Sequence, residues 1–158
     1  MIAVLEEATA TYPEWAPAGW TPELSLADSE RKLIPERLAL PGCWSRVAEG
    51  DGQMVGYVIL RPAVEHETPD RLIPGLVHLY HLFVRPAWWG RGVATELLSS
   101  GLADAVQRGY HSARLWTPRR NVRARAFYRR EGWHETGAET YAPQLDLELV
   151  EYRRSLLD

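Results

Sequence analysis

The stretch "RPAWWGRGVATELL", residues 85–98, decides how the fold of this chain is interpreted. It begins like the end of a strand and finishes like a helix, with Gly90 and Gly92 between the two. A strand that passes through such a turn leaves backbone N–H groups unpaired at the positive end of the helix dipole. Glycine lets a phosphate approach this backbone closely, and Arg91 adds a positive charge. The stretch therefore predicts a site for a phosphate-bearing ligand, although a plain strand–helix turn also fits the spacing.

Two widespread phosphate-binding motifs do not match this stretch. A P-loop would continue with Gly-Lys-Ser/Thr, which does not follow Gly92, and the dinucleotide fingerprint needs more than the single G-x-G present here. Spacing alone therefore leaves the ligand undefined beyond its phosphate.

Hydrophobic patterning on both sides of the stretch predicts a mixed sheet with helices against it, in the order β-β-β-α-β-α-β. A turn at Gly50–Gly52 predicts a hairpin. Residues 92–109 predict a helix with one apolar stripe, formed by Val93, Leu97, Leu98, Leu102, Ala105 and Val106. The other predicted elements are helical pieces in 21–42 broken at Pro35 and Pro41, a loop at 63–75, strands at 76–84, 113–117 and 145–154, and a helix at 121–132.

The composition is typical of one globular domain spanning residues 1–158. No stretch approaches the roughly 20 apolar residues of a membrane span. The N-terminal "MIAVLEEATATYPEW" has no basic region of the kind that begins a signal peptide. Cys43 is the only cysteine, which excludes an internal disulfide and a thiolate cluster for zinc. We therefore expect a cytoplasmic protein with no membrane partner.

Positive charge is concentrated around the opening stretch, although the net charge is −3. Residues 85–130 hold ten arginines against Glu96 and Asp104, whereas the segments before and after them are acidic. The middle of the chain is therefore suited to an anion and its flanks to a cation. Arginines on a helix also form ordinary solvated faces, so charge alone does not decide between these interpretations.

Two motifs together resemble the GNAT superfamily of acyl-CoA-dependent N-acyltransferases. They are "LFVRPAWWGRGVATELL" and "LWTPRRNVRARAFYRREGW", and with the strands around them the resemblance covers residues 76–134. The matching positions are Val84, Pro86, Gly90, Gly92, Ala94, Asn121, Ala124, Phe127, Tyr128, Gly132 and Trp133. The resemblance implies an α/β (α+β) GNAT fold, with a central mixed, mostly antiparallel sheet, a splayed strand pair and helices on both faces.

The resemblance also implies acetyl-CoA as co-substrate and assigns its contacts. Amides of the turn at 89–95 would hold the pyrophosphate of coenzyme A, the backbone at Val84 would pair with the pantetheine arm, and Asn121 would fix that arm. The arginines beside Asn121 that are suited to the adenosine phosphates are Arg119, Arg120, Arg123 and Arg125. The predicted cofactor-binding residues are Phe83, Val84, Trp89, Gly90, Arg91, Gly92, Val93, Ala94, Thr95, Asn121, Arg123 and Tyr128.

Acetyl transfer to a primary amine needs a donor for the oxyanion, an acid for the departing thiolate and a base for the ammonium group. The backbone N–H of Val84 is the oxyanion candidate. Tyr128 is the acid candidate, because a phenol of pKa about 10 can protonate a thiolate whose thiol has a pKa near 8.5. Asn121 and Tyr128 lie two helical turns apart and are expected on one face. No covalent intermediate, and hence no cysteine, is needed.

Trp89 stands where the family usually has Gln or Arg. One polar contact near the phosphates is therefore expected to be lost, or to be replaced by Arg91.

The strand before the turn lacks the glutamate that many family members carry there. His78 on this strand is the base candidate in its place. Because strand side chains alternate, His78 and Tyr80 are expected on the face of Val84, and His81 on the opposite face. We expect the remaining histidines to be structural or exposed, and no metal site, because their spacing matches no ligand set. These histidines are His81, His111 and His134.

The acceptor site of the family lies between the N-terminal helices, the loop before the central strand and the C-terminal strands. Acidic and aromatic residues in these segments suit a cationic amine, on a small molecule or a peptide. They are Trp15, Trp20, Trp44, Glu65, Glu67, Asp70, Tyr141 and Asp146.

Two alternatives to an enzyme remain open from the sequence. One is a non-catalytic CoA-binding sensor or interaction module with the same fold, favoured by Trp89 and the missing glutamate. The other is a nucleic-acid-binding protein that uses the arginine-rich helix, which the acidic flanks disfavour. A homodimer is compatible with either role.

Overall fold

One six-stranded sheet organises the chain in this computed structural model, which describes residues 1–22, 24–65 and 71–157. The strands are β1 (Trp44–Gly50), β2 (Gln53–Val64), β3 (Leu72–Val84), β4 (Ser112–Pro118), β5 (His134–Ala142) and β6 (Leu147–Ser155). Their order across the sheet is β1-β2-β3-β4-β6-β5, and β3–β4 is the only parallel pair among the described strands. The sheet is therefore mixed and mostly antiparallel, as predicted.

Helices cover both faces of the sheet. The helices are α1 (Ile2–Thr9), α2 (Leu26–Leu38), α3 (Val93–Gln107) and α4 (Val122–Arg130), with short 3₁₀ turns at Tyr12–Glu14 and Pro86–Trp88. α1 and α2 close a small core over β2 and β3 that includes Val4, Ile34 and Ile59. α3 and α4 close a larger core on the opposite face. We call the two sides the α1/α2 face and the α3/α4 face.

α3 lies very close to the sheet because Gly101 carries no side chain. A Cβ at Gly101 would lie 2.7 Å from Cδ1 of Leu60 on β2. The predicted apolar stripe of this helix is buried at Leu97, Leu98, Leu102 and Ala105. Val106 does not belong to that stripe, because its side chain is exposed.

Two predictions for the N-terminal half are corrected by the structure. Pro35 does not break the helix: α2 continues through it to Leu38. Pro35 is exposed, so water can solvate the Arg31 carbonyl that loses its helical partner. Strand structure also extends into the loop predicted at 63–75, because β2 runs to Val64 and β3 begins at Leu72.

β5 was missing from the predicted element order. Nearly all of its side chains are exposed, so its sequence "HETGAETYA" carries almost no hydrophobic alternation. Its backbone pairs with β6 from His134 opposite Arg153 to Ala142 opposite Leu147. A strand that is held by backbone pairing while most of its side chains are exposed shows little hydrophobic alternation in its sequence.

A bulge in β3 changes which residues share a face. Ile59 of β2 pairs with His81, but the next residue, Leu60, pairs with Leu79, so Tyr80 is an extra residue on β3. Tyr80 and His81 consequently both lie on the α1/α2 face, where their rings stack with centroids 4.2 Å apart.

The same face carries His78, because its neighbours Val77 and Leu79 belong to the opposite core, as does Val84. Contrary to the prediction, His78 and Tyr80 lie on the face opposite Val84. His81 also lies on the face opposite Val84, together with His78 and Tyr80.

Candidate functional site

The N-terminus of α3 is open backbone with no side chain covering it. Gly90 and Gly92 have φ values of +74° and +84°, the left-handed region that favours glycine. A Cβ built on either residue would meet no atom within 4 Å. Gly92 is the N-cap and offers no side-chain hydrogen bond, so the first N–H groups of this 15-residue helix remain free for an anion. We call this surface the helix mouth.

Trp88 and Trp89 hold two arginines beside the helix mouth. The guanidinium carbon of Arg123 lies 3.6 Å from the centroid of the Trp89 ring, and that of Arg91 lies 4.9 Å from the Trp88 ring. Both are cation–π contacts, which orient a guanidinium without neutralising it. The Trp89 indole N–H also donates to the Val84 carbonyl at 2.8 Å. Trp89 therefore ties the mouth to the end of β3 and positions a cation.

A gap opens between β3 and β4 beside the helix mouth. Their pairing begins at Leu76 with Ser112 and ends at Leu79 with Leu115, although β3 continues to Val84. This is the predicted splayed strand pair.

The backbone N–H of Val84 points into this gap. The Arg85 N–H donates to the Val55 carbonyl at 2.8 Å, so alternation along the antiparallel ladder directs the Val84 N–H away from β2. Phe83, by the same alternation, directs its backbone groups to β2, and its side chain packs on the α1/α2 face.

Two residues of the second motif, Asn121 and Tyr128, lie at the start of α4 and within it. Asn121 is the N-cap, and its side-chain oxygen accepts a hydrogen bond from the Ala124 N–H at 3.0 Å. Its amide nitrogen remains available to a ligand. Tyr128 is buried among aromatic rings, with Trp133 and Tyr152 at centroid distances of 5.9 and 6.2 Å. Burial, and then negative charge on Tyr12, raise the pKa of Tyr128 well above its usual value.

Tyr12 is a site residue that sequence reasoning missed. It lies buried in the 3₁₀ turn after α1, where it packs on Trp15 and Trp20 and lines a cleft. Nothing in the segment around Tyr12, rich in Pro and Trp, could have indicated this, because the position depends on how the segment packs on the rest of the fold.

A buried polar cluster holds the bulge of β3. The Tyr80 hydroxyl donates to a Glu30 carboxylate oxygen at 2.5 Å, and Arg37 donates to both oxygens of that carboxylate at 3.2 and 3.3 Å. His81 Nδ1 lies 3.2 Å from the Tyr57 hydroxyl. Burial raises the pKa of Glu30, and it lowers the pKa of His81 to about 3. We call these five residues the bulge cluster.

His78 lies next to this cluster in a cationic environment. Burial lowers its pKa well below the usual range, and the neighbouring charges of Arg61 and Arg114 lower it further. The ring is thus neutral at physiological pH and can accept a proton, although only as a weak base.

Two clefts lie between the N-terminal segments and the β5–β6 turn. One, of about 310 Å³, is lined by residues that include Glu6, Thr9, Tyr12, Trp20, Leu26 and Leu145. The other, of about 370 Å³, is lined by residues that include Thr21, Pro22, Ser29, Tyr141, Gln144 and Asp146. The Trp20 indole N–H donates to the Leu145 carbonyl at 2.7 Å and so joins the N-terminal segment to the β5–β6 turn.

The structure brings together part of the predicted acceptor set. Trp20, Tyr141 and Asp146 line the clefts, and Trp15 packs on Tyr12 with ring centroids 4.5 Å apart. Trp44 does not join them, because it is buried in the core of the α3/α4 face.

Glu65 pairs instead with Arg71 at the β2–β3 connection. Glu67 and Asp70 lie outside the described residues.

Several predicted phosphate arginines already have acidic partners. Arg119 pairs with Glu139 and Glu148, and Arg125 pairs with Glu135 at 2.8 Å. Acids of β5 and β6 thus neutralise part of the positive middle segment. This arrangement weakens the case for nucleic-acid binding and leaves Arg123 as the arginine held at the helix mouth.

No helix in the described part of the chain is long and apolar enough to cross a membrane.

Comparisons with known proteins give a consistent result. The model of the acetyltransferase (GNAT) family matches residues 2–133. An uncharacterised N-acetyltransferase of Archaeoglobus fulgidus is 38% identical over 82 residues, which cover 52% of this chain and 54% of that protein. An uncharacterised N-acetyltransferase of Mycobacterium bovis is 28% identical over 138 residues, which cover 85% of this chain and 83% of the relative. The chain therefore spans about half the length of the archaeal relative and most of the mycobacterial one.

Solved structures share the fold at low sequence identity. A protein of Desulfovibrio desulfuricans assigned to the GNAT family has a TM-score of 0.70 and 22% identity, covering 99% of this chain and 92% of its own. The PaiA N-acetyltransferase of Thermoplasma acidophilum, solved with coenzyme A, has a TM-score of 0.67 and 17% identity, covering 95% and 91%.

Proposed function

The chain belongs to the acetyltransferase (GNAT) family, and we propose that it transfers an acetyl group from acetyl-CoA to a primary amine on a small molecule or a peptide. The observation that carries the proposal is the open helix mouth with the splayed β3–β4 gap beside it. Tyr128 is buried in the same core as Val84, at the end of β3. The family relationship and the coenzyme A in a structural neighbour support the donor.

The donor would lie along the gap with its pyrophosphate on the helix mouth. Free N–H groups at a helix N-terminus suit a phosphate, and Arg123 and Arg91 add charge beside it. The pantetheine arm would lie along the gap and accept a hydrogen bond from the amide nitrogen of Asn121. No metal is needed for this arrangement.

The amine attacks the thioester carbon directly, and the tetrahedral oxyanion is stabilised by a backbone N–H in the gap. That of Val84 is the candidate, because a preorganised donor costs no reorganisation when the charge develops. The C–S bond then breaks, and the Tyr128 hydroxyl protonates the thiolate. The raised pKa keeps the Tyr128 phenol protonated at neutral pH, so a proton is present when the thiolate forms.

The ammonium form of the acceptor must first lose a proton. We propose that His78 acts as the base through bridging water, since its ring is neutral but lies roughly 20 Å along β3 from Val84, too far for direct contact with the amine. Its low pKa makes it a weak base, so a water chain to solvent is the competing route. His78→Gln should lower kcat/KM more than tenfold if the ring is the base, and should leave it nearly unchanged if water is.

The first test is isothermal titration of the purified protein with acetyl-CoA, coenzyme A and ATP. Micromolar binding of the first two with much weaker ATP binding is expected, followed by thiol release when a panel of primary amines is added. Absence of binding to either acetyl-CoA or coenzyme A would overturn the proposal.

A non-catalytic CoA-binding module is the second candidate, because the strand glutamate of many family members is absent. It predicts binding of acetyl-CoA without thiol release for any amine. The panel of amines therefore separates it from the enzyme. A cytoplasmic location and a homodimer remain predictions.

A further inference from the structure

We propose that the acceptor amine carries an anionic group, a carboxylate or a phosphate, held by a row of basic side chains across the sheet. The row consists of Arg61, His78, Arg114 and Arg153. This inference rests on the proposed transfer to an amine and names the chemical class of the acceptor. It departs from the cationic acceptor that the sequence favoured.

The four side chains are neighbours because of strand register. Arg61 lies opposite His78, His78 beside Arg114, and Arg114 opposite Arg153, on β2, β3, β4 and β6. Residues in register on neighbouring strands share one face of a sheet. With strands about 4.8 Å apart, the row extends for roughly 14 Å.

The row lies on the α1/α2 face. The residues that flank it along the strands belong to the core of the opposite face, among them Val77, Leu79, Ala113, Leu115 and Tyr152.

The row contains buried donors that no described residue satisfies. The Nε atoms of Arg61, Arg114 and Arg153 and the Nδ1 atom of His78 are buried and lack a hydrogen-bond partner. His78 and Arg114 are themselves only 7% and 8% exposed. Native structures rarely leave such groups unpaired, so each calls for a bound partner.

Acidic residues near the row are too few to neutralise it. Within the described ranges 1–22, 24–65 and 71–157, Glu151 is the only carboxylate in an ion pair with the row, at 3.1 Å from Arg153. Arg114 makes one further hydrogen bond, to the Val64 carbonyl at 2.9 Å. Burial and the neighbouring cations lower the pKa of both Arg61 and Arg114. A small anion would satisfy both the charge and the donors, because guanidinium groups match carboxylate and phosphate oxygens.

The position of the row connects it to the acceptor and not to coenzyme A. His78 lies one residue before Leu79, the last residue of β3 that pairs with β4, so the row borders the closed end of the gap. The helix mouth follows the other end of β3, beyond Val84. Six strand residues separate His78 from Val84, or roughly 20 Å at 3.3 Å per residue. An extended peptide of about six residues spans this distance, so such an acceptor can place its amine at the gap and its anion on the row.

The test compares acceptors that differ only in the anionic group. Tetraglycine, pentaglycine and hexaglycine are compared with their C-terminal carboxamides, and pentaglycyl-O-phosphoserine amide is compared with pentaglycyl-serine amide. The measurement is kcat/KM for thiol release. In the native protein we expect kcat/KM to be at least tenfold higher for an anionic acceptor than for its neutral counterpart. Whether the carboxylate or the phosphate acceptor is preferred identifies the anionic group. Equal or better turnover of the neutral members would overturn the proposal.

Arg153→Gln is the main variant, because Arg153 is partly exposed and its loss threatens the fold least. It should reduce the preference to within about threefold while kcat/KM for the neutral acceptors stays unchanged. Lys32→Gln removes an equivalent charge from an exposed site on α2 and should keep the full preference. Arg61→Gln repeats the test from the other end of the row.

A binding readout separates this proposal from the proposed function. With coenzyme A saturating and ionic strength fixed, inorganic phosphate and acetate are titrated while the thermal unfolding midpoint is followed. Both should raise the midpoint of the native protein more than that of Arg153→Gln. If no amine is acetylated but this difference is present, the enzyme assignment fails and the anion site stands. Equal shifts in both proteins for both anions would overturn the anion site.

Discussion

The two faces of the sheet differ in how their functional groups are assembled. On the α3/α4 face, the helix mouth, Trp89, Asn121 and Tyr128 come from two contiguous segments of sequence. On the α1/α2 face, the groups around the gap come from α1, α2, β2, β3, β4 and β6. We propose that the first face binds the donor and that the second face binds the acceptor. Local motifs thus suffice for the common ligand, whereas the specific ligand depends on distant segments meeting in space.

The largest effect should come from breaking the helix mouth. Gly92→Ala places a Cβ at φ +84°, in the path of the pyrophosphate, and should weaken acetyl-CoA binding by about 100-fold, or about 2.7 kcal/mol. Gly109→Ala is the matched control, with φ +86° and equally open surroundings at the other end of α3. Both variants share a strain of about 1–2 kcal/mol. Similar acetyl-CoA affinities of the two variants, measured by titration, would show that the pyrophosphate does not bind at the helix mouth.

The next largest effect concerns Tyr128, the proposed acid. Tyr128→Phe should lower kcat by about 30-fold, less than the roughly 100- to 10,000-fold typical of a general acid, because a thiolate whose thiol has a pKa near 8.5 leaves with little assistance; acetyl-CoA affinity should change little. The control is Tyr110→Phe, whose ring stacks on Trp44 in the core of the same face. Full activity of Tyr128→Phe in the thiol-release assay would show that another group protonates the thiolate.

On the α1/α2 face, the corresponding prediction concerns a substitution in the bulge cluster. Glu30→Gln leaves Arg37 without its carboxylate and weakens the support of Tyr80, so the free energy of unfolding should fall by about 2 kcal/mol. Glu36→Gln, on the same helix but with an exposed 3.8 Å pair to Lys32, should cost less than about 0.5 kcal/mol.

Kinetics of Glu30→Gln would sharpen the comparison of the two faces. The KM for the amine should rise, while the dissociation constant of acetyl-CoA stays constant. A parallel loss of affinity for both ligands would show that the two faces are not independent. Urea unfolding and steady-state kinetics supply the two measurements.

Acid should destabilise the α1/α2 face first. The pKa of His81 is about 3 in the folded protein and near 6.5 when unfolded, so the unfolded chain binds the proton first. The stabilising contribution is complete above pH 6.5 and is lost as the pH falls towards 3, by about 1.4 kcal/mol per pH unit. His81→Asn should flatten the pH dependence of the unfolding free energy in this range. An unchanged slope would mean that His81 is already protonated in the fold.

The smallest effect is expected at Trp89, which stands where the family usually has Gln or Arg. Trp89→Phe keeps an aromatic ring under Arg123 but removes the hydrogen bond to the Val84 carbonyl. A net loss of about 1 kcal/mol corresponds to roughly fivefold weaker acetyl-CoA binding. Trp88→Phe is the control, since only its ring contacts Arg91. Equal acetyl-CoA affinities of the two variants would show that the hydrogen bond from Trp89 to the Val84 carbonyl does not contribute to binding at the helix mouth.

Sequence reasoning recovered most of the elements, including the turn and the helix that form the proposed donor site. The glycine turn and the helical spacing of α3 are local features that a short window contains. It missed β5, whose exposed side chains carry no burial pattern, and it placed a break at Pro35, whose exposed position the sequence did not reveal.

The sequence assigned the wrong faces on β3, because a bulge at Tyr80 depends on pairing with β2 and not on the residues of β3 alone. It also included Trp44 in the acceptor site, although that side chain packs in the opposite core.

The sequence by itself determined the family, the order of the central elements and the open turn before α3, since these follow from contiguous patterns of glycine and apolar residues. Only the tertiary structure decided that Tyr12 lines a cleft, how Glu30 holds the bulge, and that four basic residues align across the sheet. Strand register and packing across the gap set these contacts, and both are properties of the assembled sheet.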